Sequence, residues 1–265
     1  IPNSWGVERY WKTKWYQKEL KMENLVVILA RKNSKKLKNK NILKIKKQSL
    51  IERCINFAKR IPKSKIIVST DSIKILNIAL KKKVLAPWLR PDKLAQDDSS
   101  SESATLHALR WCEKKFGKFN SLLLLQPTTP FRSLKILKNT LRLFKKNKGK
   151  KNFISISKNI SPSKNMLIGK TTKSVGVKLS KIRKERDYND LTDKFYINGS
   201  FYIISPKEIK KTKSFFTKNS IGIRIFKKKE MVDIDTKADL KLARGFKWKK
   251  ILYYLEQVRR DQEAL

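Results

Sequence analysis

The sequence predicts an α/β fold of three layers, with a mostly parallel sheet held between helices. Three observations predict it. Short apolar runs at 25–29 (LVVIL), 66–69 (IIVS), 121–126 (SLLLLQ) and 153–157 (FISIS) have the length and composition of strands buried on both faces. Segments with the apolar spacing of helices alternate with them, as in Leu50, Ile51, Cys54, Ile55 and Ala58. Polar and charged residues gather directly after several of these strands, where an open α/β sheet places its ligands.

Composition bounds the rest. A chain of 265 residues with 40% hydrophobic content can bury one large α/β core with a small insertion. No apolar run approaches the roughly 20 residues of a membrane span, and no apolar signal region opens the chain, so a cytoplasmic protein away from membranes is expected. The net charge of +43 would attract any polyanion. Its lysines are spread over the whole chain, however, and no zinc-finger, RNP-type or bZIP pattern accompanies them. Nucleic acid is therefore expected to bind only non-specifically. Cys54 and Cys112 stand apart in helical surroundings and read as small buried hydrophobes rather than a disulfide or a metal pair.

Taken in order, residues 1–21 read as an N-terminal extension in which Trp5, Tyr10, Trp11, Trp15 and Tyr16 lie among charges without a clean period. The first strand, Leu25–Leu29, runs into a loop carrying Ala30, Arg31, Ser34, Lys35, Lys40 and Asn41. Several cations with a hydroxyl and an amide suit a triphosphate; a solvated Lys-rich turn is the alternative. A helix over 48–60 ends at Pro62, and the strand 66–69 is followed by Thr70-Asp71-Ser72, a turn able to cap the helix 73–83. A short strand is expected at 84–86. The stretch LRPDKLAQDDSSSE then offers Arg90 and Ser101, able to hydrogen-bond a pyrimidine, ribose or phosphate, while Asp98–Ser101 could equally cap the helix 102–116. His107 lies within that helix with no triad or ligand set near it and reads as a half-buried histidine.

The central strand 121–126 enters Pro127-Thr128-Thr129-Pro130-Phe131-Arg132, where two prolines make a rigid turn at a strand end. Gln126 there either meets a ligand or satisfies backbone at the sheet edge. A helix at 134–146 and the strand 153–157 follow, then an irregular polar region at 161–195 with a hairpin around 173–179. Gly199 in Asn198-Gly199-Ser200 allows positive φ or close backbone approach. Residues 221–226 read as an edge strand. In Met231–Leu240, extended chain would point Asp233 and Asp235 the same way. Two carboxylates held together call for a cation, and Mg²⁺ is the natural one; a cap at Asp235 or Thr236 for helix 238–243 is the alternative. Residues 246–265 read as an amphipathic helical tail.

Four of these blocks together resemble the CMP-sialic acid synthetases, cytidylyltransferases that activate nonulosonic acids. They are A-R-x-x-S-K-x-L-x-x-K-N at 30–41, R-P-x-x-L-A-x-D-x-S-S-S at 90–101, Q-P-T-T-P-F-R at 126–132 and the I-D-x-D-type pair at 233–235, joined by N-G-S-F-Y-I at 198–203. The first block departs from the family's usual prolines and glycines at Leu29, Lys32, Asn33 and Lys38. Over residues 22–245 the resemblance implies a Rossmann-like nucleotidyltransferase fold with a dimerisation insertion near 161–195, and hence a homodimer. It implies that Arg31, Lys35 and Lys40 hold the phosphates of CTP as the catalytic cations. Ala30, Ser34, Asn41, Arg90 and Ser101 would complete the nucleotide site. Gln126, Arg132 and Asn198 would meet the sugar acid, and Asp233 and Asp235 would hold Mg²⁺, with Mn²⁺ as a substitute. Arg186 stands two positions from where the family's active-site arginine would fall. The implied reaction transfers CMP from CTP to the anomeric hydroxyl of a nonulosonic acid and releases pyrophosphate, a step toward cell-surface polysaccharide. A related nucleotidyltransferase for another sugar or base, an inactive homologue and a basic nucleic-acid-binding protein are the alternatives.

Overall fold

The computed structural model describes residues 23–32, 34, 36–158, 166–171, 176–181 and 194–245. An eight-stranded sheet of order β4-β1-β5-β9-β6-β10-β8-β7 forms its centre. The strands are β1 (Asn24–Leu29), β4 (Ser64–Ser69), β5 (Ser121–Leu125), β6 (Asn152–Lys158), β7 (Met166–Thr171), β8 (Val177–Lys181), β9 (Lys194–Ile204) and β10 (Ser220–Arg224). β1 is parallel to both β4 and β5, and β10 to β6; β9 and β8 run against the common direction. A separate two-stranded ribbon pairs β2 (Lys44–Ile45) with β3 (Gln48–Ser49).

Alternation along the central strands sorts the core into two layers. Val26, Ile28, Leu123 and Leu125 pack on one side with α1 (Leu50–Ala58), α2 (Ile73–Lys81) and α4 (Leu134–Lys146). Leu25, Val27, Leu122 and Leu124 pack on the other with α3 (Ser101–Phe116) and α5 (Pro206–Thr212). Each such side chain, removed from water, contributes about 1.5–3 kcal/mol. This is the three-layer arrangement that the apolar runs predict. Helix starts follow from sequence as well: the side chains of Ser49, Ser72, Ser100, Ser133, Ser205 and Thr236 each accept the backbone N–H three residues on, one of the free donors of a helix's first turn.

Four elements differ from expectation. Residues 84–86 form no strand; Leu85 makes one isolated bridge to Ile67 before Pro87 interrupts the pairing. The strand at 220–224 is interior rather than at an edge, since β8 pairs its outer side. The hairpin expected around 173–179 is present as the antiparallel pair β7 and β8 but is longer than expected, beginning at Met166. Helix α5 went unforeseen although Ser205-Pro206 is a start signal, a cap followed by proline in the first turn. The extension 1–21, the tail 246–265 and Arg186 lie outside the described residues.

The third cluster positions the site. Ile234 is fully buried with Leu37, Ile45, Leu50, Phe131 and Leu240, below α6 (Lys237–Arg244). Its amide donates to the Thr128 carbonyl at 2.9 Å, pinning the acidic segment beside the Pro127–Pro130 turn.

Candidate active site

The carboxyl ends of β1 and β5, the start of α3 and the 233–235 segment enclose a cavity of about 360 Å³. Because Ile234 points into the core, its neighbours Asp233 and Asp235 both face this cavity. The alternation expected of extended chain is what puts them there. Asp233 opens onto the cavity, but the protein crowded around it raises its carboxyl above the ordinary value; Asp235 pushes the same way, while a hydrogen bond with the Thr128 side chain opposes.

Arg31 and Lys40 enter from the loop after β1. Lys40 Nζ donates to Asp235 Oδ1 at 2.7 Å. Arg31 pairs with Asp97 at 2.5 Å and donates to the Gln96 carbonyl at 3.3 Å. The loop is braced from behind. Asn41 Nδ2 donates to the Arg31 carbonyl at 2.9 Å, the Lys32 amide donates to Asp71 Oδ1 at 2.7 Å, and the Ala30 amide donates to the Ser69 carbonyl at 3.1 Å. Buried Ala30 is thus a backbone anchor rather than part of the cavity wall. Ser34 stands in the loop outside that wall, and Lys35 lies outside the described residues.

On the α3 side, Ser101 and its neighbours Ser99 and Ser100 line the cavity at the helix N-terminus, where the free N–H groups of the first turn and the helix dipole favour an anion. Arg90 also reaches the wall, but its guanidinium is engaged. Nε donates to Ser69 Oγ at 3.0 Å, NH1 to the Leu94 carbonyl at 3.4 Å and NH2 to the Ser69 carbonyl. Burial lowers its pKa to about 10, against the pull of Asp71.

The three residues expected to meet a sugar separate. Gln126 lines the cavity. Arg132 does not: its Nε donates to the Ser200 carbonyl at 2.8 Å and its NH2 to the Gln126 carbonyl, so it clamps β9 to the proline turn. Asn198 is fully buried, donates to Ser157 Oγ at 2.8 Å and accepts from the Ser200 amide at 3.1 Å. Its side-chain groups are bonded internally, so it supports the site from beneath. His107 is half-buried against Trp88, ring centroids 4.9 Å apart, and lies off the cavity wall.

Sequence reasoning passed over Gln96, Asp97 and Thr128 as site residues, and took Asp71 only as a turn residue. The available signal was the acid itself: in a chain with 22 Asp and Glu against 65 Lys and Arg, an aspartate in a ligand-type loop has few neutral explanations.

A family model described as cytidylyltransferase matches residues 25–259. The chain belongs to this family. Among curated relatives, the CMP-N,N'-diacetyllegionaminic acid synthase of Legionella pneumophila is 31% identical over 224 residues, 84% of this chain and 95% of that protein. The pseudaminic acid cytidylyltransferase of Campylobacter jejuni is 28% identical over 233 residues, 88% and 97% of the two chains. The N-acylneuraminate cytidylyltransferase of Escherichia coli is 28% identical over 228 residues, 85% of this chain and 52% of that one. Among solved structures, a CMP:2-keto-3-deoxy-manno-octonic acid synthetase complexed with CTP superposes with a TM-score of 0.63 at 13% identity, covering 86% of this chain and all of its own. The 4-diphosphocytidyl-2C-methyl-D-erythritol synthase of Anaerococcus prevotii gives 0.55 at 15% identity, over 84% and 97%. These two likenesses establish an α/β nucleotidyltransferase fold for the cytidylyltransferase described here.

Proposed function

We propose that this cytidylyltransferase transfers CMP from CTP to the anomeric hydroxyl of a nonulosonic acid, with release of pyrophosphate. The observation that carries the reading is the facing of Arg31 and Lys40, from the loop after β1, against Asp233 and Asp235 in one cavity. Relatives named for legionaminic, pseudaminic and N-acylneuraminic acids support the acceptor class.

In this reading Arg31 and Lys40 hold the triphosphate and balance the charge that grows on the leaving pyrophosphate. The start of α3, through Ser99–Ser101, receives the nucleotide end, and Arg90 keeps that wall in place. Gln126 orients the acceptor. The sugar hydroxyl forms a bond to the α-phosphorus as the α–β bridge breaks in line, and the protein supplies position and electrostatics with no covalent nucleophile. Asp233 and Asp235 fit Mg²⁺: both carboxylates face the cavity, and Asp235 raises the cost of ionising Asp233. A bound Mg²⁺ would take these oxygens together with triphosphate oxygens and polarise the reacting phosphate; Mn²⁺ could substitute. A homodimer in the cytoplasm, feeding cell-surface polysaccharide, belongs to the same proposal. Among the described residues no helix is long and apolar enough to cross a membrane.

Charge balance disfavours nucleic acid at this cavity. Arg31, Lys40 and Arg90 meet Asp97, Asp233 and Asp235 there, so the local charge is even although the chain carries +43. The test is pyrophosphate release from CTP and Mg²⁺, with legionaminic, pseudaminic and N-acetylneuraminic acids offered one at a time. Release with one acid identifies the acceptor. No release and no CTP binding overturns the proposal.

A further inference from the structure

A second cavity, of about 460 Å³, lies on the far side of the proline turn. Gln126–Thr128 line the first cavity and Pro130–Arg132 line this one. Arg53, Asn56 and Phe57 of α1 form one wall, with Arg60 just beyond the helix; Gln48 and the 227–230 segment complete it.

Two of its arginines, Arg53 and Arg60, differ from the cations of the first cavity in being unengaged among the described residues, whereas Arg132 is held by the Ser200 and Gln126 carbonyls. Among the described residues, no hydrogen bond or ion pair involves the side chains of Gln48, Arg53, Asn56 or Arg60, and Arg53 Nε is buried without a partner. The Arg53 guanidinium lies over the Phe131 ring at 5.3 Å, a platform that orients it without occupying its N–H donors. Lys227 and Lys229 add charge, the latter 4.7 Å from the same ring centroid. The single acid in the wall, Glu230, pairs with none of them. Its Oε2 is buried and unpartnered, and burial raises its carboxyl above the ordinary value.

Arginine is scarce in this chain, 14 of the 65 Lys and Arg residues, yet three of the five cations here are arginines. General lysine enrichment does not produce that ratio. Guanidinium groups converging in a concave site match the paired oxygens of a phosphate, which a flat lysine-rich surface does not.

We propose that this second cavity binds a compact phosphoanion, held by Arg53 and Arg60 over the Phe131 platform. Pyrophosphate and small phosphate esters share the required chemistry. A nucleic-acid backbone carries phosphate too, but the donors line one pocket instead of tracking along a strand. The proposal does not depend on the activity assigned to the first cavity.

Equilibrium dialysis of labelled pyrophosphate at physiological salt tests it, with excess CTP present to fill the first cavity. CTP binding is measured separately, so failure of the activity proposal appears as absent CTP binding and leaves this comparison intact. Saturable pyrophosphate binding that persists with CTP should weaken at least tenfold in R53Q/R60Q. It should stay within twofold in K207Q/K211Q, a control on exposed α5 lysines. E230Q removes the opposing acid and should tighten binding, a sign that general damage to the fold would not give. Binding unchanged in R53Q/R60Q, or reduced equally in the lysine control, overturns the site. Displacement of labelled pyrophosphate by a short single-stranded oligonucleotide more readily than by unlabelled inorganic phosphate overturns the assignment to a small ligand.

Discussion

Lys40 Nζ lies 2.7 Å from Asp235 Oδ1, joining the loop after β1 to a segment 195 residues later in the chain. Each group is thereby held at the cavity wall by the other. Bound triphosphate would take Lys40, and a metal would take Asp235. Lys40→Ala should lower turnover by about 10²–10³, about 3–4 kcal/mol of transition-state stabilisation, with thermal stability little changed. Asp235→Asn should raise the Mg²⁺ concentration needed for half-maximal activity at least tenfold. A steady-state Mg²⁺ titration of both variants checks this; an unchanged metal response removes Asp235 from the metal site.

Gly199 should control the acceptor end of the cavity. Its φ is +71°, and an added Cβ would sit 2.3 Å from Gln126 Oε1 and 3.2 Å from Thr129 Oγ1. The end of the Gln126 side chain is the part able to move. Gly199→Ala should therefore turn Gln126 away and raise the sugar KM about tenfold, the value of roughly one lost hydrogen bond, while CTP affinity holds. The left-handed backbone should add about 1–2 kcal/mol of destabilisation, read by urea unfolding.

Arg90 should prove a brace before it proves a ligand. Three of its bonds go to Ser69 and to the Leu94 carbonyl, tying the end of β4 to the segment leading into α3. Arg90→Ala leaves those buried groups unpaired and should cost about 3 kcal/mol. Arg90→Lys should recover little of it, because an ammonium cannot span the same three acceptors. Urea midpoints of the two variants, compared with wild type, decide the point.

Glu23 should govern part of the acid stability. Hydrogen bonds from Lys145 and Lys63 hold its carboxyl near 2 in the fold, against an ordinary 4.5. A folded value below the unfolded one stabilises fully above pH 4.5 and is lost as the pH falls toward 2. Glu23→Gln should flatten the stability profile across that interval and leave its shape elsewhere unchanged. Thermal unfolding as a function of pH measures it.

Much of the fold was legible because burial on both faces writes itself directly into composition. Leu25–Leu29 and Leu122–Leu125 contain little but apolar residues because α1, α2 and α4 cover one side and α3 the other. Strand order was not legible in the same way. Nothing local in residues 220–224 says that β8 will pair their outer side, since pairing depends on segments far away in the chain.

The sequence by itself determined most element types, the caps at Ser72, Ser100 and Thr236 and the two aspartates around Ile234, since period and capping are local physics. Only the tertiary structure decided which polar side chains remain available. Arg132 and Asn198 look like ligand groups in one dimension, yet buried carbonyls and hydroxyls from β6, β9 and the proline turn engage them. Asp97 was decided the same way, by the Arg31 guanidinium 2.5 Å from it. Whether a polar group serves a ligand or the fold depends on which partners lie within about 3 Å, and that distance exists only once the chain has folded.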